Sequence, residues 1–152
     1  MTFGLVDQFH TGFVVRDLDA VIEGLREVLD LRWTAVQHVT IDAWTDQGRE
    51  QIPMRYVYSV ETPHIELIEA NASSIWRADG ALQLHHLGFW VDDLPAEAVR
   101  LEALGLVPEL AGASDDDAGP HRFTYHRHET GLRIELVDRV MVPFMEQLWR
   151  NA

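Results

Sequence analysis

Two histidines and two glutamates of this chain sit inside a pattern that is written twice. His10-Thr11-Gly12-Phe13-Val14-Val15-Arg16-Asp17-Leu18 returns as His86-Leu87-Gly88-Phe89-Trp90-Val91-Asp92-Asp93-Leu94. Each copy runs on into an amphipathic helical stretch. Each half then closes on a second matched segment, His64-Ile65-Glu66-Leu67-Ile68-Glu69 and Arg133-Ile134-Glu135-Leu136-Val137-Asp138. Each half therefore opens with a histidine and closes with a glutamate. Imidazole nitrogens and carboxylate oxygens can hold a divalent ion, and a carboxylate can also move a proton. A lone histidine or glutamate near a strand is ordinarily structural or solvated. What points to ligands is their recurrence at equivalent positions of a repeat, on the face opposite the apolar residues that pack on the helix.

The repeat resembles the paired βαβββ modules of the vicinal oxygen chelate superfamily, which includes glyoxalase I, methylmalonyl-CoA epimerase, the extradiol dioxygenases and the bleomycin and fosfomycin resistance proteins. The resemblance covers nearly the whole chain, and the run from His85-His86 through Val91-Asp92-Asp93-Leu94 is especially similar to the epimerase branch. It implies an α+β fold of two βαβββ modules in tandem, forming curled mixed sheets around a shared metal-binding cavity. In metal-dependent relatives the module-opening strands supply histidines and the module-closing strands supply glutamates or a glutamine. Carried over by motif, the metal ligands are His10, Glu66, His86 and Glu135, and Glu66 or Glu135 is the catalytic proton-transfer group. One departure stands out: where epimerases commonly place a glutamine, this chain has Glu66, and the Met54–Val60 strand carries no separate glutamate as base.

Such a His₂Glu₂ set suits one nickel, cobalt, zinc, manganese or iron(II) ion rather than calcium or a soft ion. Four protein ligands on an octahedral ion leave two adjacent positions for a small substrate with vicinal oxygens. The leading reading is a metal-dependent isomerase, epimerase or lyase of the glyoxalase type that stabilises an enolate. The alternatives are an Fe(II) ring-cleaving extradiol dioxygenase, which uses two histidines and one glutamate, and a bleomycin-resistance-type binder without catalysis. By the dimers common among relatives, a homodimer is expected.

The elements that must position these residues follow in order: a first module over residues 1–70, a linker over 71–82, a second module over 83–139 and a C-terminal helix over 140–152. A strand at 8–16 turns His10, Gly12 and Val14 to one face and Phe13 and Val15 to the other. Asp17 caps a helix whose stripe is Leu18, Val21, Ile22, Leu25, Val28 and Leu29. A second strand is expected at 31–41, then a polar loop from Asp42 to Glu50 that carries Trp44. Strands near Met54–Val60 and His64–Glu69 follow, hinged at Thr62-Pro63, and Trp76 is the anchored residue of the linker. The second module repeats the plan with a strand at 84–92, Asp93 as cap, Pro95 in the first turn and Gly105 as terminator. Strands follow at 106–111, 122–127 and 132–138, with an acidic loop holding Asp115-Asp116-Asp117. The opening motifs are 76 residues apart and the closing glutamates only 69, a difference assigned to the loop around Trp44.

By strand parity Trp90 shares the His86 side and His85 turns to the other side as a structural residue, while the family's packing of the aromatic at Tyr125 implies, by the same parity, that Tyr56 and Tyr58 face the cavity. The family's packing of the aromatic at Tyr125 implies that Thr124 and His126 point into the pocket. The C-terminal stripe Phe144, Met145, Leu148 and Trp149 is expected either to dock on a partner subunit or to close one end of the site.

Composition excludes much else. There is no cysteine, hence no disulfide or thiolate chemistry, and all twelve basic residues are arginine, which excludes a Schiff-base or P-loop lysine. A net charge of −13 argues against nucleic acid as a partner. No apolar run approaches the ~18 residues of a membrane span, and the N-terminus lacks a secretory layout. A soluble, cytoplasmic protein is expected.

Overall fold

The computed structural model describes residues 2–116 and 119–152, so Asp117 of the acidic loop lies outside the described residues. After a short 3-10 turn at Leu5–Asp7 come β1 (Gln8–Val15), α1 (Leu18–Leu29), β2 (Gln37–Thr45), β3 (Gly48–Tyr58) and β4 (His64–Glu69). The same order returns as β5 (Leu82–Val91), α2 (Leu94–Ala103), β6 (Val107–Gly112), β7 (Phe123–Arg127) and β8 (Arg133–Asp138), and α3 (Val142–Arg150) ends the chain. The fold is thus α+β with βαβββ written twice, as the repeat implies. No helix among the described residues is long and apolar enough to cross a membrane.

The eight strands close one barrel in the order β1-β4-β3-β2-β6-β7-β8-β5. In each module the opening and closing strands pair in parallel, β1 with β4 and β5 with β8. Parallel neighbours need a crossover, which the helix provides. The modules meet where β1 runs antiparallel to β5, and again where β2 touches β6 through Ala43 opposite Gly112 and Trp44 opposite Ala111. One consequence governs the site: β4, β1, β5 and β8 stand side by side, and these are the four strands that carry the repeated histidines and glutamates.

Helix caps form where the sequence places them. Asp17 accepts a hydrogen bond from the Ala20 N–H at 3.0 Å, and Asp93 from the Ala96 N–H at 3.0 Å. Helix α1 buries Leu18 and Ile22 against Val15, Trp33, Val57 and Leu67. Each fully buried side chain of this kind contributes roughly 1.5–3 kcal/mol. The stripe stops short of expectation, because Val28 and Leu29 are exposed while the returning chain covers the sheet with Leu31 and Trp33. On the second module α2 does the same work with Leu94 and Leu101 against Val91 and Leu136.

Two connections differ from expectation. Asp42 to Glu50 is not a loop: β2 and β3 form a long hairpin paired from Gln37 opposite Tyr56 to Thr45 opposite Gly48, where Gly48 turns at φ +99°. A half-exposed hairpin tip of polar residues reads as loop because only one of its faces meets apolar neighbours. The extra length of the first module also lies elsewhere. The helices start 76 residues apart, at Leu18 and Leu94, but the second strands only 70 apart, at Gln37 and Val107. Most of the difference therefore falls between α1 and β2, not around Trp44.

Helix α3 folds back on its own chain. Met145 is buried, and Trp149 stacks on His64 with ring centroids 4.0 Å apart and planes 3° from parallel. Met141, Phe144 and Met145 line one cavity of the barrel, and Phe144 remains exposed.

Candidate metal centre

His10, Glu66, His86 and Glu135 are all buried, and one ligand-type atom from each lies within 4.8 Å of the others. The Nε2 atoms of His10 and His86 stand 2.8 Å apart. His10 Nε2 lies 3.3 Å from Glu66 Oε2 and 2.9 Å from Glu135 Oε2, and His86 Nε2 lies 3.0 Å and 3.1 Å from the same two oxygens. Atoms bound in adjacent positions to one ion at ~2.0–2.2 Å stand about 3 Å apart, so these spacings are those of a ligand shell. A second observation agrees. Both Oε2 atoms are buried without a well-directed hydrogen bond despite this proximity. Such orphaned acceptors are costly unless something else takes their lone pairs, and a cation at the centre would do so. The residues present therefore fit a divalent ion with nitrogen and oxygen ligands.

Strand geometry explains the convergence. His10 pairs across the seam with Gly88, and His86 with Gly12. Each glycine makes room for the opposite ring: a Cβ on Gly12 would fall 2.0 Å from His86 Cε1, and one on Gly88 would fall 2.0 Å from His10 Cε1. The repeated His-x-Gly thus lets two imidazoles share a space that side chains at the glycines would fill. Glu66 reaches the same point from β4, where it lies opposite Gly12, and Glu135 from β8, opposite Gly88.

The charges are mutually adjusted. Burial lowers the basicity of the His10 imidazole, but the Glu135 and Glu66 carboxylates outweigh it and raise its pKa to about 9 in the metal-free centre. His86 is raised by the same carboxylates against the same burial. Burial pushes both carboxyls up, and the two imidazoles more than reverse this, holding Glu66 and Glu135 below the usual range. Burial first, then these carboxylates, keeps the Tyr56 and Tyr58 phenols well above theirs, so both hydroxyls stay protonated.

Around the centre opens a cavity of about 1020 Å³ walled by Tyr56, Tyr58, Glu66 and Glu135 together with Phe9, Trp76 and Tyr125. Tyr56 and Tyr58 lie where parity places them. Trp90 does not line this cavity. It stacks on Phe9 at 3.8 Å, and Phe9 takes the wall position instead. The cause is a register irregularity between Gln8 and His10, which re-aims the side chain of Phe9. His126 is likewise corrected. It is buried toward α2, with Nε2 3.5 Å from Glu102, and Tyr125 rather than Thr124 or His126 faces the cavity. Strand alternation from Glu135, which sits opposite Tyr125, would have given this outcome.

His85, expected as a structural residue, does not line the cavity but touches His86. Between Gly12 opposite His86 and Phe13 opposite Leu84, β5 carries His85 as an extra residue. The bulge breaks the period of two, and His85 Nδ1 lies 2.9 Å from His86 Nδ1 while its Nε2 lies 2.8 Å from the Ile75 carbonyl oxygen. His10 has no such support, since its Nδ1 is buried without a partner. His64 and Arg133, in phase with the glutamates, serve neighbours instead: His64 under Trp149, and Arg133 on Glu109 and the His85 carbonyl.

Comparison with known proteins agrees with this architecture. The model of the Glyoxalase/Bleomycin resistance protein/Dioxygenase superfamily matches residues 9–125. No curated protein sequence matches the chain significantly. Among solved structures, methylmalonyl-CoA epimerase from Mycobacterium tuberculosis is similar at 24% identity and TM-score 0.56, covering 87% of each chain. A Streptomyces coelicolor methylmalonyl-CoA epimerase variant in complex with 2-nitronate-propionyl-CoA is similar at 20% identity and TM-score 0.58, covering 87% of this chain and 96% of that one. A hypothetical protein from Bacillus halodurans C-125 is similar at 14% identity and TM-score 0.61, covering 87% and 93%.

Proposed function

This chain belongs to the Glyoxalase/Bleomycin resistance protein/Dioxygenase superfamily, and from that premise we propose that it is a metal-dependent isomerase or epimerase acting on a small carbon acid with neighbouring oxygens. The observation that carries the reading is the convergence of two imidazole nitrogens and two orphaned carboxylate oxygens at one buried point. A divalent ion held there supplies Lewis acidity to adjacent substrate oxygens. The chain's own residues supply the rest. Glu66 and Glu135 both reach the cavity wall, so either carboxylate can take a proton from a carbon next to the chelated oxygens. Tyr56 and Tyr58, kept protonated, can donate to a substrate oxygen on that wall. Phe9, Tyr125 and the underside of α3 exclude water, which strengthens each of these interactions.

The epimerases among the structural neighbours support the isomerase branch by analogy of fold. A ring-cleaving dioxygenase uses one carboxylate and two histidines, and the inward-turned Glu66 fills a position that such an enzyme leaves open. A pure ligand-binding role gives no reason to bury two unsatisfied carboxylate oxygens.

The test is solvent exchange. Protein loaded in turn with Ni²⁺, Co²⁺, Zn²⁺, Mn²⁺ or Fe²⁺ is expected to catalyse exchange of the α-hydrogen of a vicinal-oxygen carbon acid with D₂O, read by proton NMR. Glu66→Gln and Glu135→Gln separate the roles: losing the base leaves metal bound and slows exchange by roughly 10²–10⁴-fold. Oxygen consumption without exchange would move the chain to the dioxygenases.

A further inference from the structure

The cavity around the centre is built for a different kind of molecule from a nucleotide-tailed thioester. Its wall is aromatic and sulfur-rich, with Tyr125, Trp76, Phe123 and Phe144 beside Met54 and Met141. Met141 and Phe144 belong to the C-terminal segment, which folds over this end of the barrel. Across the far side, β2 is bonded to β6, so the barrel is closed there as well. The charge of the lining opposes phosphate: Asp42, Asp115 and Asp116 are among the described lining residues, whereas Arg122 is the one arginine among them. Asp42 is moreover held by Arg49 at its side chain, which commits that arginine's charge. Recognition of a pyrophosphate ordinarily uses clustered arginines or a helix N-terminus, and the chain as a whole carries a net charge of −13.

We propose that the natural substrate is compact and phosphate-free, a vicinal-oxygen chelator carried on an aromatic or similarly flat apolar body that lies against the aromatic and methionine lining. The proposal rests on the metal reading above and narrows its substrate. Three probes test it on the full chain loaded with Zn²⁺, with zinc content measured in the same samples. Benzohydroxamate and acetohydroxamate share one bidentate head and differ in the aromatic body; propionyl-CoA carries the nucleotide tail. Benzohydroxamate is expected to bind at least tenfold more tightly than acetohydroxamate by calorimetry, in keeping with burial of a phenyl ring. Propionyl-CoA is expected not to displace it. Phe123→Ala should reduce the preference while leaving zinc content unchanged. Equal binding of the two hydroxamates, or displacement by propionyl-CoA, overturns the proposal and leaves the metal centre standing. A protein that takes up no zinc overturns the metal reading itself.

A separate observation assigns a role to His85. A carbonyl oxygen only accepts, so the 2.8 Å contact with Ile75 requires a proton on His85 Nε2. In the Nε2–H tautomer that this contact sets, Nδ1 is an acceptor, and it stands 2.9 Å from His86 Nδ1. We infer that His85 is a positioning residue: it takes the Nδ1 proton of His86 in a hydrogen bond and thereby leaves the His86 Nε2 lone pair aimed at the centre. Outer partners of this kind typically change metal affinity by 10–100-fold. Nitrogen NMR of ¹⁵N-histidine-labelled protein, with and without zinc, is expected to show scalar coupling across the His86 Nδ1–H to His85 Nδ1 bond. His85→Phe should weaken zinc binding by roughly 10–100-fold. His85→Gln, whose amide can both accept and donate, should restore most of it. Absence of the coupling in folded protein, or equal zinc affinity in the Phe variant and the parent, overturns the assignment.

Discussion

Gly12 and Gly88 do as much for the centre as the histidines they face. Neither has strained backbone; what each provides is space for the opposite ring, since a Cβ at either would stand 2.0 Å from an imidazole carbon. Gly88→Ala is therefore expected to push His10 off the shared point, lowering metal affinity by more than tenfold, with about 1–3 kcal/mol lost to overpacking. Equilibrium dialysis and thermal melts check both, and wild-type affinity in this variant would show that the ring has another place to go. Protonation belongs to the same scale. In the metal-free protein the His10 pKa is raised from 6.5 to about 9. A raised folded-state pKa stabilises the fold fully below pH 6.5, and that contribution is lost as pH climbs through about 9. Chelator-treated protein should therefore melt lower at pH 9.5 than at 6.5, as far as His10 governs. Metal must displace the same proton, so metal affinity should instead rise with pH up to about 9, by calorimetric titration.

Among the elements, α3 is the one whose role the sequence left open between two outcomes. Within the chain Met145 is buried and Trp149 stacks on His64, while Phe144 lines the cavity and stays exposed. Deleting residues 140–152 is expected to open the cavity and to weaken binding of an aromatic chelator by roughly tenfold or more. His10, Glu66, His86 and Glu135 all lie outside this segment, so metal uptake should be unchanged. A truncated chain that binds chelator unchanged would show that α3 is not part of the wall. The convergence of His10, Glu66, His86 and Glu135 was legible because repetition marks equivalent strands regardless of local propensity. His85 and Phe9 were not, because each sits at a bulge where alternation fails, and one extra residue moves a side chain to the other face. The β2–β3 hairpin tip was hidden for a different reason: its polar residues gave no period to read. His126 turns away because Tyr125, opposite Glu135, takes the inward position on its strand, and Trp90, though opposite the lining residue Val137, is stacked on Phe9, which takes the wall.

At the scale of the molecule, the centre belongs equally to both halves, with His10 and Glu66 from the first module and His86 and Glu135 from the second. A bound ion would thus clamp the seam between β1 and β5, and every ligand comes from one chain. Two consequences follow from that placement. Metal uptake per chain should not depend on protein concentration, even across a range where light scattering shows association changing. Stability should depend on metal, because an ion that binds the folded state alone stabilises it by RT ln(1 + [L]/Kd), about 2.7 kcal/mol at a hundredfold excess over Kd. For a chain of 152 residues this corresponds to a rise in Tm of roughly 5–10 °C. The rise should appear as a shift of one cooperative transition, since neither module can keep the ion without the other, and a chelator should reverse it. Glu135→Gln and Glu66→Gln, taken from opposite halves, should each diminish the shift. If saturating Ni²⁺, Co²⁺, Zn²⁺ and Mn²⁺ all left the transition unmoved, the four converging side chains would have to be explained as a buried network of hydrogen-bonded charges. The orphaned carboxylate oxygens at its middle make that the costlier arrangement.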